Sequence, residues 1–97
     1  MVDFAQRLPI DLGRVTASPA VIAALAKANL TAMALLARHA AGDWGEADDE
    51  TRNENYRAAF FGSGLVSSVF PLATDDTVLI VTELDRQETS LILAEEI

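Results

Sequence analysis

At 97 residues, 51% of them apolar, the chain is sized for one compact domain near the lower limit at which a single core suffices, so a second domain is not expected. Seven Lys and Arg against 15 Asp and Glu leave a net charge of −8, which argues against direct nucleic-acid binding and favours encounter with a protein partner that has a basic surface. There is no cysteine, which removes disulfide scaffolds, thiolate metal sites and cysteine nucleophiles together.

The opening MVDFAQRLPIDLGR mixes acids with apolar residues, unlike the uninterrupted core of a signal peptide, and residues 1–12 read as an irregular arm. Lys27 and Arg38 interrupt the longest apolar run, so no stretch reaches the roughly 20 residues of a membrane span, and a cytoplasmic location is the default expectation. GRVTA, 13–17, is a short β-branched run and a candidate strand. Ser18 can cap a helix whose first residue is Pro19, where no amide donor is needed, giving a helix over 19–28. Asn29 or Thr31 ends it and starts a second helix over 31–41, because both side chains compete for backbone hydrogen bonds. In that helix Met33, Leu36, Ala37 and Ala40 share a face, with Leu35 beside it, and this stripe is expected in the core. Gly42 supplies the left-handed residue that closes it.

Asp48 or Asp49 can cap a third helix running to about Phe61, with Tyr56, Ala59 and Phe60 at helical spacing and Gly62 at the end. From Leu65 the period changes. LVSSVFPL, 65–72, alternates weakly, and Pro71 implies a strand end or a sheet edge. VLIVTE, 78–83, is apolar at nearly every position and belongs at the centre of a sheet; TSLILA, 89–94, follows it. The connecting ATDDT and LDRQE are short enough for hairpins. The expected fold is a two-layer α+β domain: three short helices, then an antiparallel three-stranded meander, with GRVTA as a possible fourth strand.

RHAAGDWGE, 38–46, concentrates the chain's single histidine and single tryptophan. His39 precedes Asp43 by four residues, so a continued helix brings imidazole and carboxylate together, the orienting half of a general-base arrangement. The structural alternative is a histidine in a last helical turn, meeting the negative dipole end and capping free carbonyls. Trp44 either folds back over the core or stands at a partner surface. The acids Asp43, Glu46, Asp48 and Asp49 only loosely follow the ligand spacing of a calcium loop, and neither a metal nor another cofactor is assigned. Between 43 and 54, six carboxylates (Asp43, Glu46, Asp48, Asp49, Glu50 and Glu54) face one guanidinium, Arg52, for a net −5. Such a run is a solvated helix face or an imitation of phosphate charge aimed at a partner's basic groove. Farther on, TELDRQET places Arg86 among carboxylates at a hairpin, where a local ion pair is the first expectation.

Taken together, RHAAGDWG, Asn55, Gly62, Ser67, TELDR and Thr89 resemble a family of short proteins from proteobacterial plasmids and other mobile elements. The likeness spans about residues 13–97 and is carried by Arg38, His39, Gly42, Asp43, Trp44, Gly45, Asn55, Gly62, Ser67, Thr82, Glu83, Asp85, Arg86 and Thr89. It departs at Gly64, where the family tends to a basic residue, and at Leu79 and Ile97, where it tends to aromatics. The resemblance implies a mobile-element setting and no particular reaction.

Three readings follow. The leading one is a non-enzymatic acidic interaction protein that binds through Asp43, Trp44, Glu46, Asp48, Asp49, Glu50 and Glu54, of the kind by which a mobile element blunts a host defence nuclease. The second is a small enzyme or ligand-binding domain with a pocket built from His39, Asp43, Asn55 and Arg86. The third is an oligomeric structural protein, a homodimer being the simplest form, pairing through an exposed strand.

Overall fold

The computed structural model describes residues 8–97; expectations for residues 1–7 lie outside the described residues. Strand β1 (Arg14–Ala17) comes first. Helices α1 (Pro19–Lys27), α2 (Ala32–Ala40) and α3 (Asp49–Phe61) follow it, then strands β2 (Leu65–Pro71), β3 (Thr77–Glu83) and β4 (Glu88–Leu93), and a 3-10 turn at Ala94–Glu96. This is an α+β fold with three helices and a four-stranded mixed sheet in the order β1-β4-β3-β2. The meander expected from the hairpin loops is present: β2 pairs antiparallel with β3, and β3 with β4. GRVTA does form a fourth strand, but it lies parallel to β4, because the chain crosses the three helices before the meander begins.

Local chemistry sets the helix ends. Ser18 Oγ accepts from the Val21 amide, with Pro19 at the first helical position; Thr31 Oγ1 accepts from Ala34, and Asp48 from Thr51. Asn29, with φ of 58°, turns the chain between α1 and α2. Pro71 is the last residue of an edge strand, which meets both parts of its expectation.

Alternation along the strands gives the sheet one covered face. Val66, Ser68 and Phe70 of β2, Val78, Ile80 and Thr82 of β3, and Thr89, Leu91 and Leu93 of β4 are all buried. Val21, Ala24 and Leu25 of α1 and Leu35 and Leu36 of α2 pack onto the Phe70, Val78, Ile80, Leu91 end. A second cluster joins Ile10, Trp44, Ala47, Ala58 and Ala59 to Val66. The other face, with Leu79, Val81 and Ile92, is half-buried, and no described element lies across it. VLIVTE is therefore interior to the sheet as expected, but no described layer covers its apolar second face.

One helical face is rotated from its expected position. Met33 is 72% exposed and Ala37 is exposed, whereas Leu35, Leu36 and His39 are buried. The inward arc is centred on His39 because the sheet offers polar partners to its ring, and Met33 is turned to solvent as a consequence.

The corner after α2 is held by backbone pairing. The amide of Val69 donates to the carbonyl of Trp44 at 3.1 Å, and the amide of Glu46 donates to the carbonyl of Val69 at 2.8 Å. Gly45 therefore lies against the edge of β2, and a Cβ on it would sit 2.1 Å from the Val69 carbonyl oxygen, at a φ of +63°. Gly62 has a similar φ of +70°, but nothing lies within 4 Å of its notional Cβ. Gly62→Ala should cost only the left-handed backbone penalty, about 1 kcal/mol. Gly45→Ala should cost at least about twice that, since the corner must leave the strand. Denaturant titration of the two variants checks the ranking; equal losses would contradict the close approach.

Candidate functional site

Three strands bring polar side chains to the covered face, and α2 brings one to meet them. Ser68 follows the alternation of β2 inward between Val66 and Phe70, and Thr82 and Thr89 are paired residues of β3 and β4. His39 enters from the last turn of α2. Its Nδ1 lies 2.5 Å from Ser68 Oγ and its Nε2 2.8 Å from Thr82 Oγ1. Thr82 Oγ1 is 2.7 Å from Thr89 Oγ1, and Thr89 donates to the Leu12 carbonyl at 2.6 Å. All four side chains are at most 1% exposed.

Counting protons assigns every bond a direction. The Leu12 carbonyl can only accept, so the single hydroxyl proton of Thr89 is used there. Thr82 must then donate to Thr89, which leaves Thr82 to accept from His39 Nε2–H. Burial lowers the His39 pKa from 6.5 to about 4, so the ring is neutral at pH 7 and its bare Nδ1 accepts from Ser68. The chain Ser68, His39, Thr82, Thr89, Leu12 uses each proton once and leaves no polar group unpaired. Protonating His39 would put a second donor where Ser68 already points its proton, inside the core.

His39 lies in the last turn of α2, as the structural alternative expected, but its bonds correct both expectations in detail. It does not pair with Asp43, and neither ring nitrogen caps a helix carbonyl. Asp43 instead accepts from Arg38 Nε at 2.7 Å and from the Gly45 amide at 3.2 Å, and these bonds hold its carboxyl below the usual carboxylate range. The Arg38 guanidinium also lies over the Phe70 ring, 4.5 Å from its centre.

Asn55 is equally buried and is used differently. Its carboxamide donates to the Ser67 carbonyl at 2.7 Å and accepts from the Ser67 amide at 3.0 Å, so it replaces a neighbouring strand at the edge of β2. Arg86 lies at the β3–β4 hairpin, 75% exposed and 3.7 Å from Glu83, the local pair expected there. Asp85 of the same hairpin accepts from Ser63 Oγ and the Gly64 amide, tying the hairpin to the end of α3. His39, Asn55 and Arg86 therefore do not line one pocket: two are sealed in the interior on different tasks and the third is at the surface. Among the described residues no group of three His, Asp or Glu side chains converges as a metal site would require.

Of the expected binding surface, Trp44 is 3% exposed and turned inward, edge-on to Tyr56 with ring centres 4.8 Å apart. The fold-back reading holds; the indole N–H is buried, has no hydrogen-bond partner among the described residues and does not face outward. Glu46, Asp48, Asp49, Glu50 and Glu54 are exposed. Asp48 is also the cap of α3, and its bonds to Thr51 lower its pKa. Along α3, Glu50 and Glu54 stack one turn apart while Asp49 lies on the opposite flank, so the acids surround the start of the helix and do not form a single ridge. The later half of the helix adds what sequence reasoning missed: Tyr56 and Phe61 are 43% and 70% exposed, Leu65 is 55% exposed, and Asn53, Tyr56, Arg57, Phe60 and Phe61 line an open groove. The signal available was the pair Phe60-Phe61, which cannot both face inward on one helix.

The lowered His39 pKa fixes a pH dependence. The unfolded chain binds a proton near pH 6.5 and the folded chain only near pH 4. The stabilisation is therefore full above about pH 6.5 and is lost as pH falls toward 4, by about 3 kcal/mol from this residue. Chemical denaturation from pH 7.5 to 4 should show this slope, and His39→Gln should flatten it; an unchanged slope would contradict a neutral buried ring. Comparison with protein-family models, with curated proteins and with solved structures returns no match.

Proposed function

We propose that the chain is a non-enzymatic protein-binding domain of mobile-element origin, and that α3 is its working surface. The observation that carries this reading is the composition of the outward side of α3. Glu46, Asp48, Asp49, Glu50 and Glu54 surround its start, and Phe61 and Leu65 are exposed at its end, with Tyr56 partly exposed beside them. Large aromatics exposed beside solvent-facing carboxylates are what a protein interface uses: aromatic anchors supply affinity and the charges supply orientation and encounter rate. The complementary partner has a basic surface beside an apolar cleft, as in the nucleic-acid channel of a host defence nuclease. The cytoplasm, where such a target resides, is the proposed location. Among the described residues no single helix is long and apolar enough to cross a membrane.

The interior supports a binding role over a catalytic one. The one histidine has both nitrogens engaged by buried hydroxyls. A general base needs a proton-accepting atom within reach of substrate, and this ring offers none.

The triple substitution Asp49→Lys, Glu50→Lys, Glu54→Lys spares the Asp48 cap and should leave the fold intact. Affinity capture from a host carrying defence systems should recover a nucleic-acid-handling protein on the native chain, weaken as salt is raised, and fail on the triple variant. Phe61→Ser should weaken capture about tenfold or more. Capture of the same partner by the triple variant at native strength would contradict the proposal.

A further inference from the structure

The two edges of the sheet are treated differently. On β2, Asn55 occupies the backbone groups of Ser67, and residues 44–46 occupy those of Val69. On β1, all four residues are exposed and no described element lies on the outer side. The Arg14 amide donates to Gln87 and the Ser18 amide to Leu91, so residues 14, 16 and 18 turn their amides toward β4. Val15 and Ala17 must turn their N–H and C=O groups outward. Such an edge is a template for another strand.

The geometry points to a second copy of this chain as the occupant, with β1 pairing antiparallel to its counterpart about a two-fold axis at Thr16. In that register the Val15 N–H donates to the partner's Ala17 carbonyl and the Val15 carbonyl accepts from the partner's Ala17 N–H, and the same exchange repeats on the other side of the axis, for four hydrogen bonds. The flanking sequence disfavours the neighbouring registers. Shifting one way would place Ala17 opposite Gly13, whose amide is already given to Asp11 Oδ1 at 3.0 Å. Shifting the other way would place Val15 opposite Pro19, which has no amide. In the two-fold register the side chains also fit: Thr16 faces its own copy, and Val15, 41% exposed, lies beside Ala17 of the partner.

Charge adds a second argument for this occupant. Arg14, 76% exposed and paired with Glu88 of its own chain at 2.6 Å, would lie opposite Ser18 of the partner, whose hydroxyl already donates to Glu96 at 2.6 Å. Each guanidinium thus approaches the exposed carboxylates of Glu95 and Glu96 across the axis, twice over. The result is one continuous eight-stranded sheet with the α3 surfaces at its two far ends, a bivalent arrangement compatible with partner binding there but independent of it.

The test is molar mass by sedimentation equilibrium from micromolar to millimolar protein, with amide exchange followed by NMR over the same range. Mass should rise from 10.4 kDa toward twice that value, and exchange at Val15 and Ala17 should slow with concentration. Val15→Pro removes an outward donor, and Thr16→Lys sets two ammonium groups face to face on the axis; each should return the chain to a monomer with its circular dichroism unchanged. A monomer at millimolar concentration, a dimer that survives both variants, or growth beyond a dimer would each overturn the proposal. None of these readouts involves α3 or its partner.

Discussion

The structure depends on one constraint: a polar ring inserted into an apolar core must have both nitrogens satisfied, and only one arrangement of the surrounding elements does so. His39 takes Ser68 from β2 and Thr82 from β3, and Thr82 passes the requirement to Thr89 on β4 and to the carbonyl of Leu12. Five segments of the chain are thereby held in register by a single directed chain of hydrogen bonds. Apolar packing alone tolerates sliding, because one aliphatic contact resembles another. A buried donor left without its acceptor costs about 1 to 3 kcal/mol, so a shifted α2 or a slipped strand is selectively penalised. In a domain with a small core that selectivity matters as much as total burial.

What was legible in the sequence followed from local chemistry. Ser18-Pro19, Thr31 and Asp48 announced the helix starts, and the bounds observed fall within a residue or two of those expected. The short loops announced the meander. Less legible were features that need two distant segments at once. The alternation of β2 placed Ser68 on a buried stripe, and those of β3 and β4 placed Thr82 and Thr89 on theirs; three polar residues on adjacent inner faces signal a shared partner. Only the rotation of α2 identifies that partner as His39, and the same rotation explains why Met33 was misplaced. The direction of β1 was similarly hidden, since a four-residue strand carries no mark of whether its neighbour runs with it or against it. Asn55 reads as a surface residue of a polar helix until the bare edge of β2 is set beside it.

The residues of the motifs singled out in the sequence share a physical role here. His39, Thr82 and Thr89 form the buried chain; Asn55 and Ser67 seal one sheet edge. Arg38 and Asp43 lock the corner that Gly45 fits against β2, and Asp85 ties a hairpin to the end of α3. These are tasks of scaffold construction. The surfaces proposed to work, the outward side of α3 and the edge of β1, are made of other residues. A scaffold motif of this kind identifies a fold and leaves its partners to be set by what is displayed on it.

The central claim is that the only histidine is a neutral structural element with its proton on Nε2. Nitrogen-15 NMR of the imidazole, recorded through two-bond couplings to the ring protons between pH 5 and 8, reads the tautomer and the charge directly. The account predicts a protonated Nε2 and an unprotonated Nδ1 throughout that range. A proton on Nδ1, or an imidazolium forming near pH 6.5, would contradict the directed chain and reopen the case for a reactive side chain.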